Sequence, residues 1–495
     1  TDQNGLEARI EKDGLNNLDG MISFVQNFAE SGYFREHPTF YFDNIELSGS
    51  NVIQHAENRF GPILFAMYTI SDNQLKLTAQ MPPLGELDNQ QVEMQVKEDG
   101  KWVKLQETTI EKNARIAPFS IDKWKSNREL NYRIKYEEHY TDNSSKEFFY
   151  EGTIRKEPEG NELAVGGLTC QNHQGYPYRP VVENLTKSNP DLLYFSGDQI
   201  YEGNGGYGIV RSPADRAIIN YLGKWYMFGW TFGEVTKDRP TVCIPDDHEV
   251  YQGNLWGAGG KKITQQEWED NRDCTSGFVQ PIEMVNVVVR TNCSHLPDPF
   301  DPTPMDNGIL VYYTDMEYAG IDFAIVGDRI FKSGPEEVSW WDGRKDHLRE
   351  QLKNPSRLSK PELKLLGDRQ MEFLNNWADD WDGRQIKVLL SQTPFAYTTT
   401  HHGPGHMFLY GDLDSGGWPK EARDSTIAVM HRCKAFHITG DQHITTMVQY
   451  GIDNFRDAGW VFCTPAIAVG YPRRFFPDTM GFKVQNRPLH NLPNT

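Results

Sequence analysis

An α/β layered domain preceded by an all-β sandwich is the fold class that the sequence predicts, and three observations predict it. The chain has 495 residues, more than one hydrophobic core usually supports, so two or three domains are expected. From about residue 59 to 158, short runs alternate apolar and polar side chains. Beyond 158 the runs become dense and continuously apolar, the pattern of strands buried on both faces.

Each element has its own stretch of sequence. In 1–58, Leu18, Met21, Ile22, Val25 and Phe28 recur at helical spacing, so this N-terminal extension is expected to be partly helical. In 59–158 the strands are Leu75-Lys76-Leu77-Thr78-Ala79, Val92-Glu93-Met94-Gln95-Val96, Trp102-Val103-Lys104-Leu105, Tyr132-Arg133-Ile134-Lys135-Tyr136 and 148–154. Turn residues such as Glu98-Asp99-Gly100 separate them, which suggests a β-sandwich of roughly 100 residues. The polar run Arg155-Lys156-Glu157-Pro158-Glu159-Gly160 reads as a linker. In 159–495 the buried strands are 191–196, 241–244, 323–326, 386–390, 435–439 and 460–463, with a helix over 366–381 marked by Met371, Leu374 and Trp377.

Composition excludes several function classes. No apolar run reaches the roughly 18 residues of a membrane span, and mean hydropathy is −0.63. A formal charge of −19 argues against non-specific nucleic-acid binding, which needs an excess of Lys and Arg. An acidic chain that binds an anionic substrate needs local positive charge, and bound metal ions can supply it, with some of the 69 carboxylates as ligands. Six cysteines without CxxC pairing exclude a structural zinc knot; a Cys274–Cys293 disulfide stays open, since spacing fixes no geometry. Thr1-Asp2-Gln3-Asn4 has neither an initiator Met nor an apolar leader, and sequence does not decide between a processed mature end and an artificial boundary; a secreted or periplasmic mature chain is the expectation.

The chemistry lies in the residues just past the apolar runs. Leu193-Tyr194-Phe195-Ser196 leads into Gly197-Asp198-Gln199-Ile200-Tyr201-Glu202, Val242-Cys243-Ile244-Pro245 into Asp246-Asp247-His248-Glu249, and Phe436-His437-Ile438-Thr439 into Gly440-Asp441-Gln442-His443. Ligands of open α/β sheets bind beyond the carboxyl ends of the strands, so these clusters should converge in one cleft. A single Asp after a strand is usually a helix cap or an Asx turn. Three acidic strand ends together would repel one another, and a di- or trinuclear cation site relieves that repulsion. Cys170, where the first strand of the domain should finish, is a fourth candidate, because a metal deprotonates a coordinating thiol.

Gly197-Asp198-x-x-Tyr201, Asp247-His248-Glu249 and Gly440-Asp441-x-His443 resemble the metallophosphoesterase plan, and in particular the PhoD-like alkaline phosphatase/phosphodiesterase family. Asp-Asp-His-Glu for Gly-Asn-His-Glu, Gly-Asp-x-His for Gly-His-x-His, and Cys170 for the first Asp are that family's variants. Asp328-Arg329, Leu366-Gly367-Asp368-Arg369-Gln370, Ser391-Gln392-Thr393-Pro394 and Gly417-Trp418-Pro419 with Arg423 match as well. The resemblance covers about residues 160 to 475. It implies a four-layer α/β/β/α sandwich, preceded more loosely by a fibronectin-III/Ig-like sandwich domain.

The resemblance also implies a ligand set. Cys170, Asp198, Tyr201 and His443 would form a mixed site that suits Fe³⁺, with Asp198 bridging. Asp247 and Asp441 stand where related enzymes have Asn and His, which makes the neighbouring site oxygen-only and favours Ca²⁺. One iron with one or two calcium ions is expected, ahead of zinc or manganese. The cations would activate a water against a small-molecule or polymeric phosphate ester, with Asp247 and His248 catalytic and His248 protonating the leaving group. Arg329 could clamp a phosphate oxygen or be a salt-bridge partner.

Two readings compete with this phosphoesterase: a phospholipase D-type phosphodiesterase, and an inert calcium-loaded protein whose sandwich binds a glycan or surface polymer. Oligomeric state is not readable. The stretch holding His401, His402 and His406 reads as a Gly/Pro loop over the cleft mouth. Gly203 to Gly208 lacks the Walker Lys and the GxGxxG spacing, and Ser391 is not in a GxSxG elbow.

Overall fold

A computed structural model describes residues 60–475 with 48–49 and 53, apart from 161, 173–174, 204–207, 272–273, 339–345, 349–357, 409 and 412. The helix expected around Leu18 to Phe28 lies outside the described residues. The first strands are β1 (Phe65–Ser71), β2 (Gln74–Gln80), β3 (Gln91–Glu98), β4 (Lys101–Thr109), β5 (Ile116–Ile121), β6 (Leu130–His139) and β7 (Ser145–Ile154). They make two antiparallel sheets, ordered β1-β2-β5 and β4-β3-β6-β7, that close over one apolar core. The Tyr68 and Tyr132 rings meet edge-on in that core at 6.5 Å.

Alternation does not reveal β1 or β5. All seven residues of β1 are buried, because its second face packs on a helix of the following region. β5 contains Pro118, which lacks the N–H that a central strand must donate; β5 is the edge of its sheet, where the loss is tolerated.

The chain continues through β8 (Val165–Gln171), α1 (Arg179–Ser188), β9 (Leu192–Phe195), α2 (Ala214–Thr236), β10 (Thr241–Cys243), α3 (Gln265–Asn271), α4 (Ile282–Cys293), β11 (Thr314–Tyr318), β12 (Ile321–Ile325) and β13 (His347–Leu348). It ends with α5 (Gly367–Asp379), β14 (Ile386–Leu390), β15 (His401–His402), β16 (Tyr410–Gly411), α6 (Lys420–Arg432), β17 (Phe436–Thr439), β18 (Thr446–Gln449), β19 (Trp460–Cys463), β20 (Ala466–Ala468) and β21 (Arg473–Arg474). The expected apolar runs are β9, β10, β12, β14, β17 and β19.

Two sheets position the site. One is parallel throughout, in the order β10-β9-β8-β20. The other, β11-β12-β14-β17-β19-β18, is parallel from β12 to β19 with antiparallel edges. One continuous core runs through both, and the buried Tyr194 hydroxyl on β9 donates to Ser391 O at 2.7 Å, just past β14. Parallel strands end at one edge of their sheet, so the turns after β8, β9 and β10 lie side by side.

Phe65 joins the sandwich to this core: it is 2% exposed and lies 5.9 Å from Trp225 and 6.2 Å from Phe228 on α2. Substitution Phe65→Ala is expected to destabilise the protein by about 3–5 kcal/mol in chemical denaturation. A loss below about 1 kcal/mol would show that this seam is not part of the cooperative core.

Candidate metal centre

The acidic turns converge. Cys170, one residue before the end of β8, joins Asp198 after β9 and Asp441 and His443 after β17, with one donor atom of each inside 4.8 Å. Asp198, Asp247 and His248 form a second such group, so Asp198 belongs to both. The Tyr201 hydroxyl donates to Asp198 Oδ2 at 2.9 Å. Asp441 therefore sits with Cys170 and His443, whereas the oxygen-only expectation had paired it with Asp247.

Backbone conformation separates these positions from ordinary strand ends. Cys170, Asp198, Asp441 and His443 have φ of 52°, 59°, 63° and 56°, a region L-residues rarely adopt and one that clusters at functional sites. The glycines before the two aspartates permit the approach. A Cβ on Gly197 would lie 2.4 Å from Asp246 Cβ, and one on Gly440 would lie 2.2 Å from Ser196 Oγ and 2.5 Å from Thr169 Oγ1.

Glu249 ties two of the turns together. Fully buried, it accepts from Gln199 N at 2.5 Å and from Asp246 N at 2.8 Å, and burial pushes its carboxyl up to about 8.

The electrostatics call for cations. Cys170, Asp198, Asp247 and Asp441 are 0%, 1%, 3% and 5% exposed. Burial raises the Asp198 carboxyl and lifts that of Asp247 well above its ordinary value, with Asp246 adding to the latter. Burial raises Cys170 and Tyr201 as well, reinforced by Asp198. Among the described residues the buried Asp198 Oδ1 and Asp247 Oδ1 receive no hydrogen bond. Buried acceptors of this kind, clustered with a thiol, a phenol and an imidazole, fit metal ions of mixed hardness.

His248 faces this group and is held by Glu202, a residue to which the sequence pattern assigns no role. Its Nδ1 pairs with the Glu202 carboxylate, and its ring lies 4.0 Å from that of Tyr201. Burial opposes the imidazolium, but Glu202, Asp198 and Asp247 outweigh it and raise the His248 pKa well above its ordinary value. Lys224 on α2 donates to Glu202 O at 2.7 Å and Gly208 O at 2.8 Å, holding the chain on either side of the glycine-rich stretch.

The sequence model of PhoD-like phosphatases matches residues 163–487, and that span contains both ligand groups. The chain belongs to the PhoD-like phosphatase family. Membership sets hydrolysis of phosphate esters as the general class of activity. The structure of PhoD is similar over 83% of this chain and 78% of that one, with TM-score 0.59 and 17% identity, a likeness of fold. The crystal structure of TT1561 of Thermus thermophilus matches 62% of this chain and 91% of that one at 10% identity and TM-score 0.26, too low to carry an argument. No curated protein matches.

In this PhoD-like phosphatase the Arg329 guanidinium is buried among carboxylates, the salt-bridge side of its two expected roles. It is 1% exposed; Nε and Nη2 donate to Asp246 at 2.7 and 3.2 Å, Nη1 donates to Asp414 Oδ2 at 2.9 Å, and Asp441 Oδ2 lies 3.6 Å away. The turn after β12 lies beneath the ligand turns, where buried carboxylates need a countercharge. The other family motifs are braces. Gln370 exchanges two 2.8 Å bonds with Gly327, and Gln392 accepts from Asp328 N and donates to Pro245 O. Arg423 holds Phe395 O and Gly451 O.

Three further readings are settled by burial. Ser391 Oγ lies 2.8 Å from His437 Nε2, but both residues are fully buried, so no serine nucleophile is presented. Cys274 and Cys293 are buried free thiols. The stretch expected as an open loop contains β15, which pairs with β21; His402 is 1% exposed and its Nδ1 lies 2.9 Å from Tyr471 Oη.

If Arg329 is a countercharge, Arg329→Met leaves Asp246 and Asp414 buried beside no guanidinium. The expected loss is about 3–5 kcal/mol of stability in denaturant titration. A stable variant that shows only a raised KM would restore the clamp reading.

Proposed function

We propose that this chain is a metal-dependent phosphoric ester hydrolase of the alkaline phosphatase D type, acting on phosphomonoesters and phosphodiesters. The observation that carries the reading is the convergence of Cys170, Asp198, Asp441 and His443 within 4.8 Å, all with left-handed backbone. In this reading Cys170, Asp198, Tyr201 and His443, with Asp441 beside them, would hold Fe³⁺, and Asp247 would hold Ca²⁺ together with Asp198. The bound cations would supply an activated water and neutralise charge on the phosphate.

The chain's own residues do the rest. Tyr201 and Asp198 share a proton at 2.9 Å, and release of that proton would free both oxygens as ligands. His248, with Nδ1 fixed by Glu202, keeps Nε2 for the leaving-group oxygen and donates its proton there. The 59–158 sandwich domain, the four-layer form of 159–495 and a secreted or periplasmic location belong to the same proposal; they rest on the family. Among the described residues no helix is long and apolar enough to cross a membrane.

Elemental analysis of the purified protein, beside hydrolysis of a chromogenic phosphomonoester and the matching diester, tests the reading. Iron and calcium with activity on at least one ester are expected; neither metal and two silent assays would sink it. Because Asp198 is shared by both ligand groups, Asp198→Ala is expected to lose metal and activity together. Full metal retention would refute the bridging role.

The His248–Glu202 pair has its own signature. An acid whose pKa is raised works below that pKa and fails as pH rises through it. Cations on Asp198 and Asp247 would cancel much of their contribution, while Glu202, outside both ligand groups, would still act on His248. Glu202→Gln is therefore expected to move the alkaline limb of the kcat–pH profile to lower pH. An unmoved limb would remove His248 as the proton donor.

A further inference from the structure

The ribbon of β15 and β21 carries a cation to the metal ligands. His401 pairs with Arg474 and His402 with Arg473, and the ribbon is anchored by Tyr471. The Tyr471 hydroxyl lies 2.8 Å from His347 Nε2 and 2.9 Å from His402 Nδ1, and His347 Nδ1 lies 2.5 Å from Asp346. Thus held, half-buried Arg473 has Nη1 2.8 Å from His443 Nδ1 and donates to Asp441 O at 3.2 Å. Tyr471 O lies 3.2 Å from the same Nδ1.

Donor counting makes this arrangement conditional. A guanidinium has only N–H groups to offer, so Nδ1 can accept from Arg473 only when the ring proton is on Nε2. Nε2 then has no lone pair for a metal. When Nε2 ligates, the proton is on Nδ1 and is donated to Tyr471 O, as the second partner of a ligating histidine usually is a carbonyl or carboxylate. Arg473 would then meet an N–H with an N–H. Its contact with His443 and the ligation of His443 exclude one another, with no change in net charge.

Arg329 is held by Asp246 and Asp414, and Lys332 is buried and donates to Asp414 O. We propose that Arg473 is a phosphate-binding residue: ligation of His443 turns its guanidinium off the imidazole and onto a non-bridging oxygen of the ester phosphate. The inference rests on the phosphoesterase reading, in which His443 is a ligand.

The test uses full-length protein loaded with its metals, as wild type, Arg473→Gln and Arg473→Met. Metal content is measured by elemental analysis, affinity for inorganic phosphate by titration calorimetry, and KM with the chromogenic monoester. Both variants are expected to keep full metal content while the phosphate Kd rises roughly 10- to 100-fold, the worth of a charge-assisted hydrogen bond, and KM rises with it. Where the glutamine variant melts early, the methionine variant, whose stem keeps its packing beside Tyr471, gives the answer. An unchanged phosphate Kd with full metal overturns the proposal. So does loss of metal, which would make Arg473 a brace for His443. Wild-type protein that neither binds phosphate nor hydrolyses the ester would bring down the phosphoesterase reading itself, an outcome distinct from the other two.

Discussion

Buried negative charge is the constraint on which the rest of the site depends. Asp198, Asp246, Asp247, Asp328, Asp414 and Asp441 are each 5% exposed or less, in and beside the two ligand groups. Within the protein, Arg329 and Lys332 answer them from below, and burial moves the Lys332 ammonium down to about 8, so even this countercharge is strained. Carboxylates in such a place either take up protons or hold cations. The division follows position: Asp246 and Asp414 are paired with Arg329, whereas Asp198 and Asp247 keep buried oxygens without a hydrogen bond among the described residues.

Holding those acids at one point requires a rigid frame, and the frame is made of backbone and amides more than of charges. The parallel strands of two sheets bring their ends to a common edge. Glu249 joins the turns after β9 and β10, Gln392 reaches from β14 to the turn after β10, and Gln370 clasps Gly327 after β12. The left-handed turn at Asp198 is held by the Gln199 bond to Glu249, and the turn carrying Asp441 and His443 by Gly440 N donating to Gln392 O at 2.9 Å and Gln442 Nε2 donating to Ser415 O at 3.0 Å. Gly197 and Gly440 are needed for a plain steric reason, since any Cβ there would strike the opposing turn.

Electrostatic pairing then differentiates the residues that are partly open. His248 and His443 both border the acidic group, but one leans on the carboxylate of Glu202 and the other meets the guanidinium of Arg473. The first partner favours an imidazolium, suited to giving a proton. The second can sit beside His443 only in the tautomer that does not bind metal. Two histidines of similar sequence setting thus acquire opposite chemistry from their neighbours.

Much of this was legible in the chain. The strands β2, β3, β4, β6 and β7 follow from alternation, and β9, β10, β12, β14, β17 and β19 from apolar runs, because burial on one or two faces writes itself into side-chain order. The ligand turns were legible for the same local reason: Gly-Asp after an apolar run is a strand end, wherever the strand lies. What the sequence by itself determined is therefore that Cys170, Asp198, Tyr201, Asp247, His248, Asp441 and His443 stand at or just past strand ends. Tertiary structure alone decided that β1 is a strand buried on two faces, that Arg329 is buried between Asp246 and Asp414, that Asp441 groups with Cys170, and that Glu202 and Arg473 face His248 and His443. Those facts depend on which sheet lies against which and on who neutralises whom. Such pairings join positions far apart in the chain, and no local pattern of side chains records them.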